Sequence, residues 1–180
     1  MSCSTIKPKK IKLQPYLGEW NSFEQTLNWY QPRQEVLKCV KTKYELHEPY
    51  EEGERASFQV LNTSASMPTP RPMVATAQEG QIGFKVAPPG NPDLGGSYWV
   101  LDTDYDTYSI VSGGPLHETS NGLCSPPVTT EFLADSGLFV LTREPFPSLE
   151  TLALIGTAKK SLNLDTSQLL RVDQSCSSLS

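Results

Sequence analysis

At 180 residues and 19.9 kDa the chain has room for one domain with a buried core. Hydrophobic residues make up 37% and charged residues 19%, which excludes a disordered polymer, and no apolar run nears the roughly 20 residues a membrane-crossing helix needs. A net charge of −5 and a pI of about 5.1 argue against general affinity for nucleic acid or anionic lipid.

The first residues, Met-Ser-Cys-Ser-Thr, carry no apolar stretch of the secretory kind, so an exported protein is expected here in its mature form. Residues 1–15 form an arm in which Lys7, Lys9, Lys10 and Lys12 are broken by Pro8, read as extended and solvated. Short strands follow, separated by turns. One lies after Trp20. Val40 to Leu46 alternates with period two, the mark of a strand with one buried face. Phe58-Gln59-Val60 and Ile82 to Val86 repeat the pattern, and Met73 to Gln78 is a weaker strand between them. Tyr98 to Leu101 and Tyr108 to Val111 flank a turn at 102–107 and form a hairpin, and Leu138 to Leu141 closes the series. That makes about eight strands.

Proline and glycine punctuate the loops at Pro68–Pro72, Ala87–Gly96 and Gly113–Gly137, the last long enough for a functional lid or a disordered tip. One good helix spans Ser148 to Leu162. Ser148 is its N-cap, Glu150 sits in the first turn, Leu149, Leu152 and Ile155 share a face, and Lys159 and Lys160 suit the negative end of the dipole. Residues 163–180 form a tail. Strands in sequence with one late helix exclude a βαβ arrangement. The simplest closure is an all-β fold: an eight-stranded antiparallel up-and-down barrel over 16–143, with the helix packed outside, as one domain over 1–180. Cys3, Cys39, Cys124 and Cys176 lack the close spacing of a zinc site or redox pair, so no metal is expected. Their separation suits long-range staples in an oxidising compartment, with three pairings open.

Three motifs stand in order along these elements. Tyr16-Leu17-Gly18-Glu19-Trp20 holds a Gly-x-Trp at the first strand. Thr103-Asp104-Tyr105 occupies the hairpin turn, and Arg143 follows the last strand. Together they resemble the lipocalin family. The wider turn 102–108 is similar to plasma retinol-binding protein, and the ending Val172-Asp173-Gln174-Ser175-Cys176 to apolipoprotein D and the bilin-binding proteins. The resemblance implies that Gly18, Trp20, Thr103, Asp104, Tyr105 and Arg143 are structural, with the arginine stacked across the tryptophan at the closed barrel end. It also implies the pairings Cys3–Cys124 and Cys39–Cys176. The chain departs from the family at Asn21, where relatives often carry an aromatic, and at Gly113, where they carry a strand-end cysteine.

In the family register, alternation turns inward Val40, Thr42 and Tyr44; Phe58, Val60 and Asn62; Ile82, Phe84 and Val86; Tyr98 and Val100; Ser109 and Val111; Phe139 and Leu141. This lining is apolar with a few hydroxyl and amide groups, the composition of a small-molecule calyx. Glu24 falls inward in the same register, as a polar anchor or a solvated rim carboxylate. Asn62-Thr63-Ser64 is a glycosylation acceptor motif, but an inward Asn62 is closed to a glycan.

The resemblance implies a secreted carrier holding a small hydrophobic molecule: a bilin, retinoid, carotenoid, steroid or fatty acid, with no cofactor required. Neither a nucleic-acid nor a transmembrane role is expected, and a homo-oligomer stays open. Two other classes compete. An isomerase-like enzyme lacks support, because His47 and His117 sit in turns without a nucleophile and the disulfides claim every thiol. The third is an interaction protein acting through its loops around a vestigial calyx.

Overall fold

The computed structural model describes residues 2–46, 57–77, 83–131 and 135–176. After a 3-10 turn at Cys3–Thr5, the chain forms helix α1 (Leu13–Tyr16) and strands β1 (Gly18–Gln25), β2 (Lys41–Leu46), β3 (Ser57–Ser64), β4 (Met67–Ala77), β5 (Phe84–Ala87), β6 (Gly96–Thr103) and β7 (Tyr108–Ser112). Then come β8 (His117–Glu118), β9 (Cys124–Ser125), β10 (Leu138–Thr142), helix α2 (Leu149–Ser161) and β11 (Leu170–Arg171). Strands β1 to β7 and β10 are joined in antiparallel order, and β10 returns to pair with β1, so the eight strands close into a barrel. β11 adds to β1 at Glu24↔Arg171, and β8 pairs with β9 apart from the barrel.

Two of the hydrophobic clusters lie on opposite sides of the wall. Inward side chains build a cluster around Tyr16, Trp20, Tyr44, Phe58, Phe84 and Val100. Outward ones, with Phe23, Ile110, Leu138 and Val140, pack under Ile155 and Ala158 of α2. The Ser148 hydroxyl accepts from Thr151 N at 3.1 Å and caps that helix. Leu149 is turned to solvent, 86% exposed, and so does not share the buried face expected of it.

Four other expectations are corrected. Pro68–Pro72 is not a loop but part of β4. Pro72 pairs opposite Leu61, while Pro68 and Pro70 fall in the register shift between Arg71 and Met67, where the ladder with β3 is interrupted and a missing N–H costs no ladder pair. Among the described residues the pairing of β4 with β5 begins at Val74. The strand expected from Val40 starts at Lys41. Cys39 has φ 51, a left-handed turn that breaks the register, and Val40 packs with Leu37 and Val172 instead of facing the calyx. Glu24 points outward. A bulge between Ser22 and Glu24 shifts the parity of β1, and Glu24 Oε1 accepts from Lys159 Nζ of α2 at 2.7 Å. The arm is not simply solvated, because Cys3, Ile6 and Pro8 are buried against the barrel and Lys9 N donates to Val100 O at 2.7 Å. Gln78, Ile82 and His47 lie outside the described residues.

The long segment 113–137 is neither lid nor loose tip over most of its length. Its β8–β9 hairpin is bonded to the end of α2 through Cys124 N to Asn163 O at 2.7 Å, and Cys124 is disulfide-linked to Cys3 with Cα atoms 5.3 Å apart. Cys39 is linked to Cys176, Cα atoms 6.1 Å apart. A Cβ on Gly113 would meet the backbone oxygen of Ser136 at 1.9 Å. No side chain fits there, which accounts for the missing strand-end cysteine.

Candidate ligand-binding site

The closed end of the barrel is built from the three motifs. Trp20 is fully buried and donates from Nε1 to Tyr16 O at 2.9 Å, which seats α1 across the barrel base. The Arg143 guanidinium lies 3.7 Å from the Trp20 ring centroid. Its nitrogens donate to five carbonyls: Tyr105 (3.0 Å), Leu17 (3.1 Å), Glu19 (2.9 Å), Pro15 (2.8 Å) and Tyr16 (3.4 Å). One planar fork therefore ties α1, the start of β1 and the β6–β7 turn together. Gly18 has φ 102, and a Cβ there would press on Arg143 Nη1 at 3.3 Å. In the turn, Thr103 Oγ1 donates to Tyr108 O and accepts from Tyr105 N, while Asp104 accepts from the backbone of Thr107 and Tyr108. Asn21 donates to Arg143 O at 2.8 Å, an amide doing backbone work an aromatic could not.

Above this plug aromatic side chains fill the lower part of the barrel. Tyr16, Tyr44, Phe58, Phe84 and Tyr98 form a contiguous aromatic layer, with Tyr16 stacked on Tyr44 (centroids 5.6 Å) and Phe58 edge-on to Phe84 (5.1 Å). Its hydroxyls meet: Tyr44 and Tyr98 oxygens are 2.6 Å apart, Tyr98 and Tyr16 2.7 Å, Tyr16 and Ser109 3.0 Å. Burial pushes the Tyr16 phenol up to about 12 and those of Tyr44 and Tyr98 upward too, so all three stay neutral in ordinary solution.

A cavity of about 180 Å³ lies over that floor and opens at the opposite end. Nine of the residues expected to face inward line it: Thr42, Tyr44, Val60, Asn62, Val86, Tyr98, Val111, Phe139 and Leu141. Phe58, Phe84, Val100 and Ser109 also turn inward but do not line it. Phe58, Phe84 and Val100 belong to the inward cluster around the tyrosines, and Ser109 is bonded to Tyr16. Val40 lies elsewhere, as above. Alternation gives the face of a strand but not the depth to which neighbours fill the barrel.

Other lining residues escaped the sequence reading. Met67, Arg71 and Met73 come from the inward parity of the proline-bearing half of β4. Gly95, Gly96, Ser97, Gly113 and Ser136 form the rim. Asn28, Trp29 and Tyr30 lean in from the loop after β1. That loop has no periodicity to read. It is held by buried amides: Gln25 accepts from the Ser22 hydroxyl and donates to Gln31 at 2.7 Å, and Asn28 Oδ1 accepts from Gln31 N at 2.9 Å. Asn62 faces the cavity and its Oδ1 accepts from Thr42 Oγ1 at 2.7 Å. His117 is exposed on β8, and among the described residues no cysteine is free and no cluster of potential metal ligands occurs.

No protein-family model and no curated protein sequence matches the chain. Solved structures do. It is similar to the major allergen Per a 4 from cockroaches, at 20% identity over 94% of this chain and 92% of that one, with a TM-score of 0.59. This is the lipocalin fold. Insecticyanin from the tobacco hornworm Manduca sexta shares it at 17% identity over 95% and 85% of the two chains (TM-score 0.59), and lobster apocrustacyanin A1 at 16% over 94% and 90% (0.54). None of the described helices of this lipocalin-fold chain is long and apolar enough to cross a membrane.

Proposed function

We propose that this chain is a secreted carrier that holds a small hydrophobic molecule in the barrel. The observation that carries the reading is the cavity itself. Its upper wall is largely apolar, through Val60, Met73, Val86, Val111, Phe139 and Leu141. Burying apolar ligand surface there yields about 25 cal/mol per Å², enough for useful affinity without a charged partner. The same fold serves the siderocalin Ex-FABP, whose function rests on dual ligand specificities.

Size narrows the ligand. A 150 Å³ cavity holds one benzene, so about 180 Å³ takes one ring system. A retinoid or carotenoid would seat its ring in the calyx and run its chain out past Trp29. A bilin would have to leave most of its pyrroles at the mouth or displace the Asn28–Tyr30 loop. The test is an absorption spectrum and a solvent-extract mass spectrum of protein purified from its source. An extractable ring-bearing apolar molecule in stoichiometric amount is expected. A colourless protein that yields no small molecule and does not quench its tryptophan fluorescence with any ring-bearing apolar probe would defeat the carrier reading in favour of a loop-mediated interaction protein.

A further inference from the structure

The four hydroxyls under the cavity form a chain with a countable supply of hydrogens. Ser109, Tyr16, Tyr98 and Tyr44 share three hydrogen bonds, yet each brings one O–H. Three hydrogens are consumed, and one is left over. Ser109 is fully buried, and among the described residues Tyr16 is its only side-chain partner. If the chain ran toward Ser109, the spare hydrogen would be stranded in the core, at the full cost of an unpaired buried donor. The favoured direction is outward: Ser109 donates to Tyr16, and Tyr16 to Tyr98. The spare hydrogen then emerges on Tyr98 or Tyr44. Both line the cavity floor.

Resting on the carrier reading above, we propose that the buried end of the ligand carries a carbonyl oxygen, which receives this hydrogen from Tyr44 or Tyr98. A carbonyl accepts and brings no hydrogen of its own, which matches one spare donor. A pure hydrocarbon end would leave the phenol unpaired once the ligand has displaced water, and the cation in the lining, Arg71, is exposed, so a charged end is drawn toward it and solvent rather than to the floor. On the upper wall Thr42 donates to the Asn62 amide oxygen, which leaves the Asn62 N–H groups as the competing donors. The alternative to the phenol is therefore a ligand oxygen held by the Asn62 amide.

Two probes of one skeleton decide the matter: tetralin and its ketone α-tetralone, titrated calorimetrically against the whole protein. The ratio of their affinities cancels the shared hydrophobic term. In Tyr44→Phe/Tyr98→Phe, tetralin binding is expected to persist while the ketone-to-hydrocarbon ratio falls by roughly three- to tenfold, the worth of one hydrogen bond. An unchanged ratio in that variant overturns the inference and leaves the carrier reading intact. A ratio that falls in Asn62→Leu and not in the double variant overturns it too, moving the donor to Asn62. Failure of wild-type protein to bind either probe defeats the carrier reading and this inference with it. A measurement on wild-type protein covers the case in which the double variant does not fold. Isotope-edited infrared spectroscopy of bound α-tetralone should show the carbonyl stretch below its position in hexane, and a band at the hexane position refutes the phenol contact.

Discussion

Replacing Arg143 by methionine keeps a long apolar stem and removes the guanidinium that holds the closed end together. Its loss has two parts. The cation over the Trp20 ring, 3.7 Å from the centroid and half-buried, contributes about 1 kcal/mol. Of the five carbonyls it serves, those of Tyr16, Leu17 and Tyr105 accept in partly buried surroundings, while those of Pro15 and Glu19 are open enough for water to replace the donor. Charging about 0.7 kcal/mol for each of the first three, below the usual penalty for a lost partner because water can reach a half-buried site, gives about 3 kcal/mol in all. With a urea dependence of about 2 kcal/mol per molar, the midpoint followed by far-ultraviolet circular dichroism should fall by roughly 1.5 M. Arg143→Lys should recover less than half of this, since a compact ammonium has three donors, cannot span both sides of the plug and does not stack. A loss below about 1 kcal/mol for the methionine variant, or full recovery by lysine, would refute the view that the planar fork is what matters.

Stability should also fall at alkaline pH. The unfolded chain ionises Tyr16 near pH 10, whereas burial holds it neutral to about 12, so its contribution is full below pH 10 and up to about 2.7 kcal/mol is lost between pH 10 and 12. Tyr44 and Tyr98 act in the same direction, and urea titrations at stepped pH should show a shallower decline in Tyr16→Phe. Removing the 121-residue closure with Cys3→Ser/Cys124→Ser should cost about 3 kcal/mol in thermal unfolding yet leave probe affinity unchanged, because that bond lies outside the barrel beside α2. Protein from a glycosylating host should carry no sugar at Asn62, whose amide is turned into the cavity against Thr42. Intact-mass measurement checks this, and a glycan there would show that the side chain points outward.

The barrel was legible because it depends on signals that sequence carries directly: period-two alternation, turn residues, a capped helix at Ser148, and three motifs in order. Face assignments held wherever a strand was regular. They failed at Val40 and Glu24, where a left-handed Cys39 and a bulge in β1 each changed parity, and neither device has a glycine or proline to announce it. The proline run of β4 misled for the opposite reason. Prolines usually punctuate, but Pro68 and Pro70 stand where the ladder with β3 is already interrupted, so the strand runs on through them. The loop residues Asn28, Trp29 and Tyr30 reach the cavity through a network of buried amides that no local pattern encodes.

What sequence could not supply was depth, and depth is what decides the ligand. The same parity that sends Phe58, Phe84, Val100 and Ser109 inward describes a deep empty calyx and a partly filled one equally well. The difference lies in a long-range arrangement. Trp20 and Arg143 hold α1 across the base, which brings Tyr16, a residue outside every strand, under Tyr44 and Tyr98. Once Tyr16 is there, three large rings share the barrel cross-section, and the cavity that remains takes a ring rather than an extended molecule. Their hydroxyls could not be buried singly without cost, so they pair with one another and with Ser109, and an odd hydrogen is turned toward the cavity. The structural motif at the closed end thus reaches the site through Tyr16: it sets how far a ligand can enter and what chemistry meets it there.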